Sequence, residues 1–219
     1  MQAIDQFRAA QAIVALPDLV STLSPMPPKA IEKKMLAHPS NRVFMLLNVL
    51  SPEECDLFIR VTEAQGFEAA PITTGRGFAM IPEVRNNGRV MVDDPLRAAW
   101  LWGRVWRHVD EHYGSFSAVG LNERFRYYRY APGEYFKWHG DGAYIRSERE
   151  RSMYSFLIYL NEDCEGGSTD FRGGLRVKPV RGAALLFEHG LIHQGAEVIS
   201  GRKYVMRTDV MYRWAAEEA

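Results

Sequence analysis

The second half of the chain is a succession of short segments rich in aromatic and β-branched residues, and this pattern most restricts the possible folds. Beyond Gly114 the hydrophobic period changes from that of a helix to that of a strand. Pro-Gly, Gly-Gly and Arg-Gly pairs separate the segments and indicate turns. The predicted strands are residues 124–130, 134–141, 152–161, 175–180, 182–190 and 203–212. So many short strands after a pair of helices are typical of an antiparallel sandwich or barrel backed by helices.

Upstream of these strands, the sequence predicts a further strand at the apolar run 42–50 and then a helix. Ser51 is a good N-cap for this helix, and Pro52 stands at its first position. Glu54 completes a capping box with Ser51, and Gly66 can end the helix.

A second helix is predicted to begin at Asp94, with Pro95 behind it. Residues at helical spacing form an apolar stripe, which we expect to pack in the core. The stripe consists of Leu96, Ala99, Trp102, Val105, Trp106 and Val109.

A chain of 219 residues is long enough for one sizeable core. Residues 1–40 are expected to be an N-terminal extension, whose placement the sequence leaves open; residues 1–15 could form a short amphipathic helix. Residues 41–121 are expected to form a helical support region and residues 122–213 the core, and these two together should make one structural domain.

The charge of the chain is balanced, with 27 Lys and Arg against 27 Asp and Glu. Long-range attraction to nucleic acid or to an anionic membrane is therefore not expected. Cys55 and Cys164 belong to no CxxC pair and are expected to be reduced thiols. There is no signal-like N-terminus and no apolar run of about 18 residues. We therefore expect a soluble, cytoplasmic protein without a membrane partner, and the sequence leaves its oligomeric state open.

Three residues form a candidate metal site. His139 and Asp141 lie two apart, so in a strand both would point to the same face. His193 follows a predicted strand and is the best candidate for a third ligand, with His189 as its competitor. Two histidines and one carboxylate are the facial triad of non-haem Fe(II) oxygenases. A structural zinc site would instead want four ligands, usually including thiolates.

The strand at 203–212 supplies two candidate cations for an organic acid bound at this metal. A dicarboxylate held by iron at one end needs a cation at its far carboxylate. Lys203 and Arg207 share a face of a regular strand with Val205, but they lie roughly 13 Å apart, so both need not bind the same carboxylate. Alternatively, Arg207 pairs with Asp209 for a structural reason.

Three tyrosines could donate phenolic hydrogen bonds to the same acid, or pack in the core with a satisfied hydroxyl. They are Tyr128, Tyr130 and Tyr159.

Two polar segments could shape a cleft beside the site. Residues 144–153 are a charged loop, either a lid or a solvated turn, and residues 75–94 are a long, Gly-rich loop.

Several motifs, in order and with good spacing over roughly residues 122–213, resemble the prolyl 4-hydroxylase-like branch of the 2-oxoglutarate/Fe(II) dioxygenases. They are Tyr130–Gly133, His139–Asp141, Tyr159–Asn161, Gly166–Phe171, Val177–Pro179, Gly182–Phe187, His193 and Gly201–Tyr204. The helix that follows Ser51 also resembles the N-terminal support helices of this family.

The resemblance implies a mostly β fold with N-terminal helices, in which a double-stranded β-helix (jelly-roll) core is backed by the support helices. His139, Asp141 and His193 would ligate Fe(II), with 2-oxoglutarate and O2 as co-substrates and ascorbate as a further cofactor that such enzymes can use. The implied reaction is hydroxylation of an unactivated C–H bond. The first candidate substrate is a prolyl residue of a protein or peptide, and a small molecule is the second. A halogenase of this superfamily would lack the carboxylate of Asp141.

In this family, the residue at the position of Lys203 binds the distal carboxylate of 2-oxoglutarate, and the residue at the position of Tyr159 often helps to bind it. The residue at the position of Tyr130 lines the pocket. Arg207 departs from the commonest pattern, which leaves open how Lys203 and Arg207 divide their roles.

Two other classes of function are weighed against the dioxygenase. A cupin-like metalloenzyme usually has an H-x-H pair and a glutamate as ligands, and neither pattern is present. A non-catalytic barrel that serves as a binding or sensor module would be expected to have lost at least one of the site residues. A nucleic-acid demethylase is disfavoured by the balanced charge.

Overall fold

The computed structural model of the protein describes residue 16 and residues 19–75 and 77–214. The proposed helix over residues 1–15 lies outside the described residues. The helices are α1 (Pro52–Gln65) and α2 (Pro95–Val105), with short 3-10 turns at Val20–Thr22 and Trp106–His108. The strands are β1 (Glu32–Met35), β2 (Val43–Leu47), β3 (Glu68–Ala69), β4 (Ile72–Thr74), β5 (Gly77–Ala79), β6 (Gly88–Asp93), β7 (His112–Tyr113), β8 (Phe116–Leu121), β9 (Arg124–Tyr130), β10 (Phe136–His139), β11 (Ile145–Ser147), β12 (Glu150–Tyr159), β13 (Glu165–Gly166), β14 (Thr169–Phe171), β15 (Arg176–Val177), β16 (Ala184–Glu188), β17 (His193–Gly195), β18 (Val198–Ser200) and β19 (Lys203–Trp214).

Two antiparallel sheets carry the fold. The main sheet has 11 strands, and its central path runs β1-β2-β16-β12-β19-β9-β6-β3. The second sheet has four strands in the order β10-β17-β14-β15. All six strands predicted after Gly114 are present, although the one expected at 175–180 is reduced to the two residues of β15. The predicted antiparallel sandwich is therefore confirmed.

The main sheet is buried on both faces. On one face Met45, Leu185 and Val205 pack with Phe171 and Val177 of the second sheet and form the core of the sandwich. On the other face, a larger core joins alternate residues of the same strands to the two helices. Its members include Phe44, Leu46, Met206, Phe58 of α1 and Leu101 of α2. The alternation follows from the two-residue period of a strand.

The first helix has the predicted ends. The Ser51 side chain accepts a hydrogen bond from the Glu54 backbone N–H, and the Glu54 carboxylate accepts one from the Ser51 N–H at 2.8 Å. The helix stops at Gly66, whose φ of 85° suits a residue without a Cβ. Among the described residues, no helix has the length and apolar character that a membrane span requires.

Half of the apolar stripe predicted for the second helix is confirmed: Val105 and Val109 are buried and Trp102 packs against the core, but the other three residues are exposed. Leu96 is 64% exposed and Trp106 is 49% exposed. The buried face also contains two arginines, Arg97 and Arg104. These pair with Asp94 at 2.9 Å and with Glu54 at 2.6 Å, so their charges are compensated where they are buried. Their presence hides the helical period of the other buried residues, which are Ala98, Trp100, Leu101 and Val105.

Both segments interpreted as loops contain regular structure. Residues 75–94 include β5 and β6, and β6 pairs with β9 inside the main sheet, where Val90 lies opposite Tyr127. Residues 144–153 form the hairpin of β11 and β12, in which Arg146 pairs with Glu150. Arg146 and Glu150 also pair with Glu123 and Arg213 outside the hairpin, which attaches it to the neighbouring strands.

Candidate metal centre

The register of the second sheet brings the two candidate histidines together. β10 and β17 are antiparallel, and His139 lies directly opposite His193. Their ring centroids are 4.3 Å apart. Asp141 lies two residues beyond the end of β10, where its backbone N–H donates to the His189 carbonyl at 2.9 Å. One ligand atom from each of His139, Asp141 and His193 lies within 4.8 Å of the others, so the three could hold one metal ion.

Each imidazole is oriented with Nε2 toward the carboxylate. The Nδ1 atom of His139 hydrogen-bonds to the Lys137 carbonyl at 2.6 Å, and that of His193 to the Leu191 carbonyl at 2.9 Å. Because a carbonyl only accepts, Nδ1 carries the proton and Nε2 keeps its lone pair. Burial lowers the pKa of His139 to about 4, and it also lowers the pKa of His193. Both rings are therefore neutral at pH 7, which is the form that binds metals.

The carboxylate of Asp141 is buried and ionised. Burial alone would raise its pKa, but Arg207 and the two histidines hold it well below the usual range. Arg207 Nη1 donates to Asp141 Oδ1 at 2.8 Å, and Ser155 Oγ donates to Oδ2 at 2.5 Å. Two neutral imidazoles and one ionised, oriented carboxylate are the donor set of a 2-His-1-carboxylate iron site, so the residues present fit Fe(II).

His189, the alternative third ligand, lies outside this group. It is buried, and its Nδ1 is 2.9 Å from Ser155 Oγ while its Nε2 is 2.8 Å from Ser152 Oγ. Since Ser155 donates to Asp141, Nδ1 must donate to Ser155, which leaves Nε2 to accept from Ser152. Ser152 in turn accepts from the Tyr144 N–H at 2.8 Å. A chain of hydrogen bonds thus orients the carboxylate, and no motif in the sequence indicated Ser155.

A narrow pocket extends from the three residues to Lys203. Lys203, Val205 and Arg207 all line it, as expected for one face of a strand. Lys203 is 3% exposed, and no carboxylate of the described residues forms an ion pair with it. Burial lowers its pKa to about 8. A buried ammonium group without a counter-charge is unfavourable, so this end of the pocket suits an anion.

The tyrosines surround this ammonium group in different ways. Lys203 Nζ lies 5.2 Å from the ring centroid of Tyr130 and 5.7 Å from that of Tyr159. The Tyr159 hydroxyl bonds to Thr169 Oγ1 at 2.8 Å, and Thr169 lines the pocket. Tyr128 and Tyr130 line the pocket, whereas Tyr159 is fully buried behind it with its hydroxyl bonded to Thr169.

Arg207 stands at the other end, beside the candidate metal ligands. In addition to Asp141, it contacts Asp209 through Nη2 at 3.3 Å. The structural pairing with Asp209 is therefore present, together with a closer contact that the sequence did not indicate.

A second cavity, of about 370 Å³, opens beside His139 and Asp141. Its apolar wall includes Pro71, Ile72, Val84 and Phe136, and its cations are Arg85, Arg89, Arg126 and Arg207. Burial raises the pKa of Tyr128 in this wall, yet the four arginines together hold it below its ordinary value. The balanced charge of the whole chain concealed this local excess of positive charge.

Residues 125–209 match the family model described as the 2OG-Fe(II) oxygenase superfamily. This segment contains every residue of the candidate metal site and Lys203. No curated protein sequence is detectably similar to the chain.

Several solved structures share the fold, including the double-stranded β-helix. The viral collagen prolyl hydroxylase of Paramecium bursaria Chlorella virus-1, in its 2OG complex, is 21% identical, with a TM-score of 0.52 over 78% of this chain and 96% of that one. A Pseudomonas putida prolyl-4-hydroxylase is 17% identical, with a TM-score of 0.53 over 77% and 91%. A Trichoplax adhaerens prolyl hydroxylase, in complex with a hypoxia inducible factor oxygen degradation domain peptide fragment, is 14% identical, with a TM-score of 0.56 over 95% and 91%.

The match to the family model covers the segment in which two imidazoles, a carboxylate and a buried ammonium group converge. The expected jelly-roll fold, the enzyme class and the cofactors Fe(II), 2-oxoglutarate and O2 are thereby confirmed. Residues 125–209 match the 2OG-Fe(II) oxygenase superfamily, and the protein is a 2-oxoglutarate-dependent dioxygenase.

Proposed function

We propose that the protein hydroxylates an unactivated C–H bond of a prolyl residue in a protein or peptide. The observation that carries the hydroxylase assignment is the single pocket that joins His139, Asp141 and His193 to the buried Lys203. The prolyl substrate is supported by the similarity of the fold to prolyl hydroxylases, one of which is in complex with a peptide. Likeness of fold is an argument by analogy, so the substrate needs its own test.

In this proposal, Fe(II) is bound by Nε2 of His139, Nε2 of His193 and the carboxylate of Asp141. The bound Fe(II), together with 2-oxoglutarate and O2, supplies the oxidising power that no side chain possesses. The protein contributes the orientation of these groups. The carbonyls of Lys137 and Leu191 fix the two rings, and Arg207 and Ser155 fix the carboxylate.

Lys203 is proposed to bind the distal carboxylate of 2-oxoglutarate, with the rings of Tyr130 and Tyr159 as the walls around it. Arg207 is proposed to act on the metal side through Asp141, because its closest contact is to that carboxylate at 2.8 Å. This division removes the competition between the two cations for one carboxylate. The aromatic walls also exclude water, which strengthens the interaction of Lys203 with an anion.

The proposal is tested by adding Fe(II) and 2-oxoglutarate without oxygen and following the visible charge-transfer band of the chelated acid. Proline-containing peptides are then offered with O2, and succinate and hydroxyproline are measured together. We expect the band in the wild type and its loss in His139→Ala. A bound iron without the band would contradict the oxygenase assignment, while succinate coupled to a non-prolyl product would contradict only the prolyl substrate.

The affinity for 2-oxoglutarate should fall as the pH rises above about 8. Burial lowers the pKa of Lys203 to about 8, so the ammonium group that attracts the dianion is present below this pH and is lost above it. Between pH 7 and pH 9 the protonated fraction, and with it the affinity, should fall about tenfold. Anaerobic titrations at pH 7, 8 and 9 measure this dependence. A flat profile would show that another cation binds the carboxylate.

Replacing Ser155 with alanine should weaken metal binding by about 10- to 100-fold without removing a ligand. The substitution deletes the hydrogen bond to Asp141 Oδ2 and separates the carboxylate from His189. Titration with Fe(II) under argon gives the affinity. Ser200→Ala, at an exposed serine, is the matched control. Wild-type affinity in Ser155→Ala would mean that Arg207 alone orients the carboxylate.

A further inference from the structure

Arg85, a cation beside the active site, forms no ion pair with a carboxylate of the described part of the chain. Four arginines line the cavity beside His139 and Asp141. Arg207 pairs with Asp141 and Asp209, and Arg126 pairs with Asp209 at 3.3 Å. Arg85 differs, since its Nε donates to the neutral Asn87 amide oxygen at 2.7 Å, and it forms no ion pair with a described residue. Its Nη2 is buried and has no hydrogen-bond partner among the described residues.

Arg85 is held rigidly in this position. The residue is 5% exposed, and its guanidinium lies 4.6 Å from the ring centroid of Tyr128 and 4.4 Å from that of Phe136. Its backbone also bridges to Phe136. Asn87, which accepts from Nε, is fully buried and donates to the Gly88 carbonyl at 2.8 Å. A guanidinium fixed in this way loses little side-chain freedom when it binds an anion.

The position of Arg85 is next to the reaction centre and outside the co-substrate pocket. Phe136, on which it stacks, lies in turn against the ring of His139, with a centroid distance of 3.5 Å. Arg85 lines the larger cavity and does not line the pocket that contains Lys203. The charges of Fe(II) and of the 2-oxoglutarate dianion cancel one another, so cofactor binding leaves the charge of Arg85 unmatched.

We propose that the substrate is an acidic peptide, and that Arg85 binds a carboxylate that flanks the residue to be hydroxylated. This inference rests on the proposed peptide hydroxylase function and names its substrate class. The apolar wall of Pro71, Ile72 and Val84 would receive the prolyl ring, and the planar fork of Arg85 would receive a side-chain carboxylate of a neighbouring Glu or Asp. A cavity of about 370 Å³ fits a short segment of this kind.

The test compares three labelled peptides that differ in the residues flanking proline: the acidic Gly-Glu-Pro-Glu-Gly, its isosteric neutral form Gly-Gln-Pro-Gln-Gly and the basic Gly-Lys-Pro-Lys-Gly. Their binding is measured by fluorescence anisotropy to the full chain loaded with Mn(II) and 2-oxoglutarate in the absence of oxygen. We expect the acidic peptide to bind at least about tenfold more tightly than the neutral one, and the basic peptide to bind most weakly. Equal affinity for the acidic and neutral peptides would overturn the proposal, and this comparison needs no variant.

Variants then locate the contact. Arg85→Gln should remove the preference for the acidic peptide, whereas Arg60→Gln, at an exposed arginine of α1, should keep it. If the glutamine variant fails to fold, Arg85→Lys is used in its place. This variant retains the charge and should keep part of the preference for the acidic peptide. A preference that persists in folded Arg85→Gln would assign the carboxylate to another arginine and overturn the role of Arg85. Competition by free glutamate as strong as that by the acidic peptide would overturn the peptide assignment in favour of a small carboxylate.

Failure of this inference differs from failure of the proposed function. The same preparations are assayed for the visible band with Fe(II) and 2-oxoglutarate and for succinate release. If both are present and no peptide binds, the acidic-peptide proposal is wrong and the dioxygenase stands. If the band is absent although iron is bound, the proposed hydroxylase function is wrong, and the acidic-peptide proposal that rests on it is wrong as well.

Discussion

Replacing His193 with alanine should abolish Fe(II)-dependent succinate formation and lower the affinity for Fe(II) by more than about 100-fold. The imidazole supplies one of three candidate ligand atoms, and its neighbours offer no substitute, since Phe171 and Phe187 pack against its ring. The remaining His139 and Asp141 would leave the ion held by two protein groups. Metal titration and succinate release measure the two effects separately.

The matched control is His189→Ala, which removes a second buried histidine, in the connection between β16 and β17. His189 bonds to Ser152 and Ser155 and contributes no atom to the candidate metal site. We expect this variant to lose thermal stability, because two buried hydroxyl groups lose a partner, and to keep measurable metal binding. If His189→Ala lost the metal and His193→Ala retained it, the assignment of the third ligand would be reversed.

Replacing Lys203 with methionine should raise the dissociation constant for 2-oxoglutarate by about 10- to 100-fold, since a charge-assisted hydrogen bond contributes about 1.5–3 kcal/mol. Fe(II) binding should be retained, because Lys203 is not one of the three candidate ligands. The free energy of unfolding should not fall either, since the side chain is 3% exposed and methionine removes an unpaired buried charge. Anaerobic titration of the charge-transfer band measures the dissociation constant.

Lys137→Met is the control for this substitution. Lys137 lies on β10, two residues before His139, but its side chain is exposed. Its loss should leave 2-oxoglutarate binding unchanged, although it removes the same charge from the same region of the protein. Equal effects of the two substitutions would indicate a general electrostatic contribution and would rule out a specific contact by Lys203.

The sequence predicted those features that depend on local pattern. Strand β9 has the predicted bounds, because four of its seven residues are aromatic. The spacing of His139 and Asp141 indicated a metal pair, and the alternation along β19 placed Lys203 and Arg207 on one face. The inference on β19 requires only the period of a strand and the chemistry of the side chains. Asp141 lies beyond the end of β10, so its place beside His139 also depends on the backbone contact with His189.

The features that the sequence did not predict depend on contacts between distant segments. Arg97 and Arg104 are residues of the type found on a solvated helix face. They can be buried because the fold places Asp94 and Glu54 beside them and so compensates their charges. Nothing in the sequence distinguishes Ser155 from other strand residues, and its role follows only from the fold, which places Asp141 within hydrogen-bond distance of it. Arg85 lies in a segment that resembles a polar loop, and its two stacking partners are more than 40 residues away.

The two-sided burial of the main sheet has a consequence for how this protein can change. Along β19, Lys203, Val205 and Arg207 face the pocket, whereas Tyr204 and Met206 pack toward the helices. Neighbouring positions of one strand are therefore under different constraints. The pocket-facing positions are constrained by ligand binding, and the alternate positions are constrained by the thermodynamic stability of the fold. Substitutions at the pocket-facing positions can alter specificity while the alternate positions maintain the scaffold. A library that varies only every second residue of this strand would explore new chemistry at the smallest risk of unfolding.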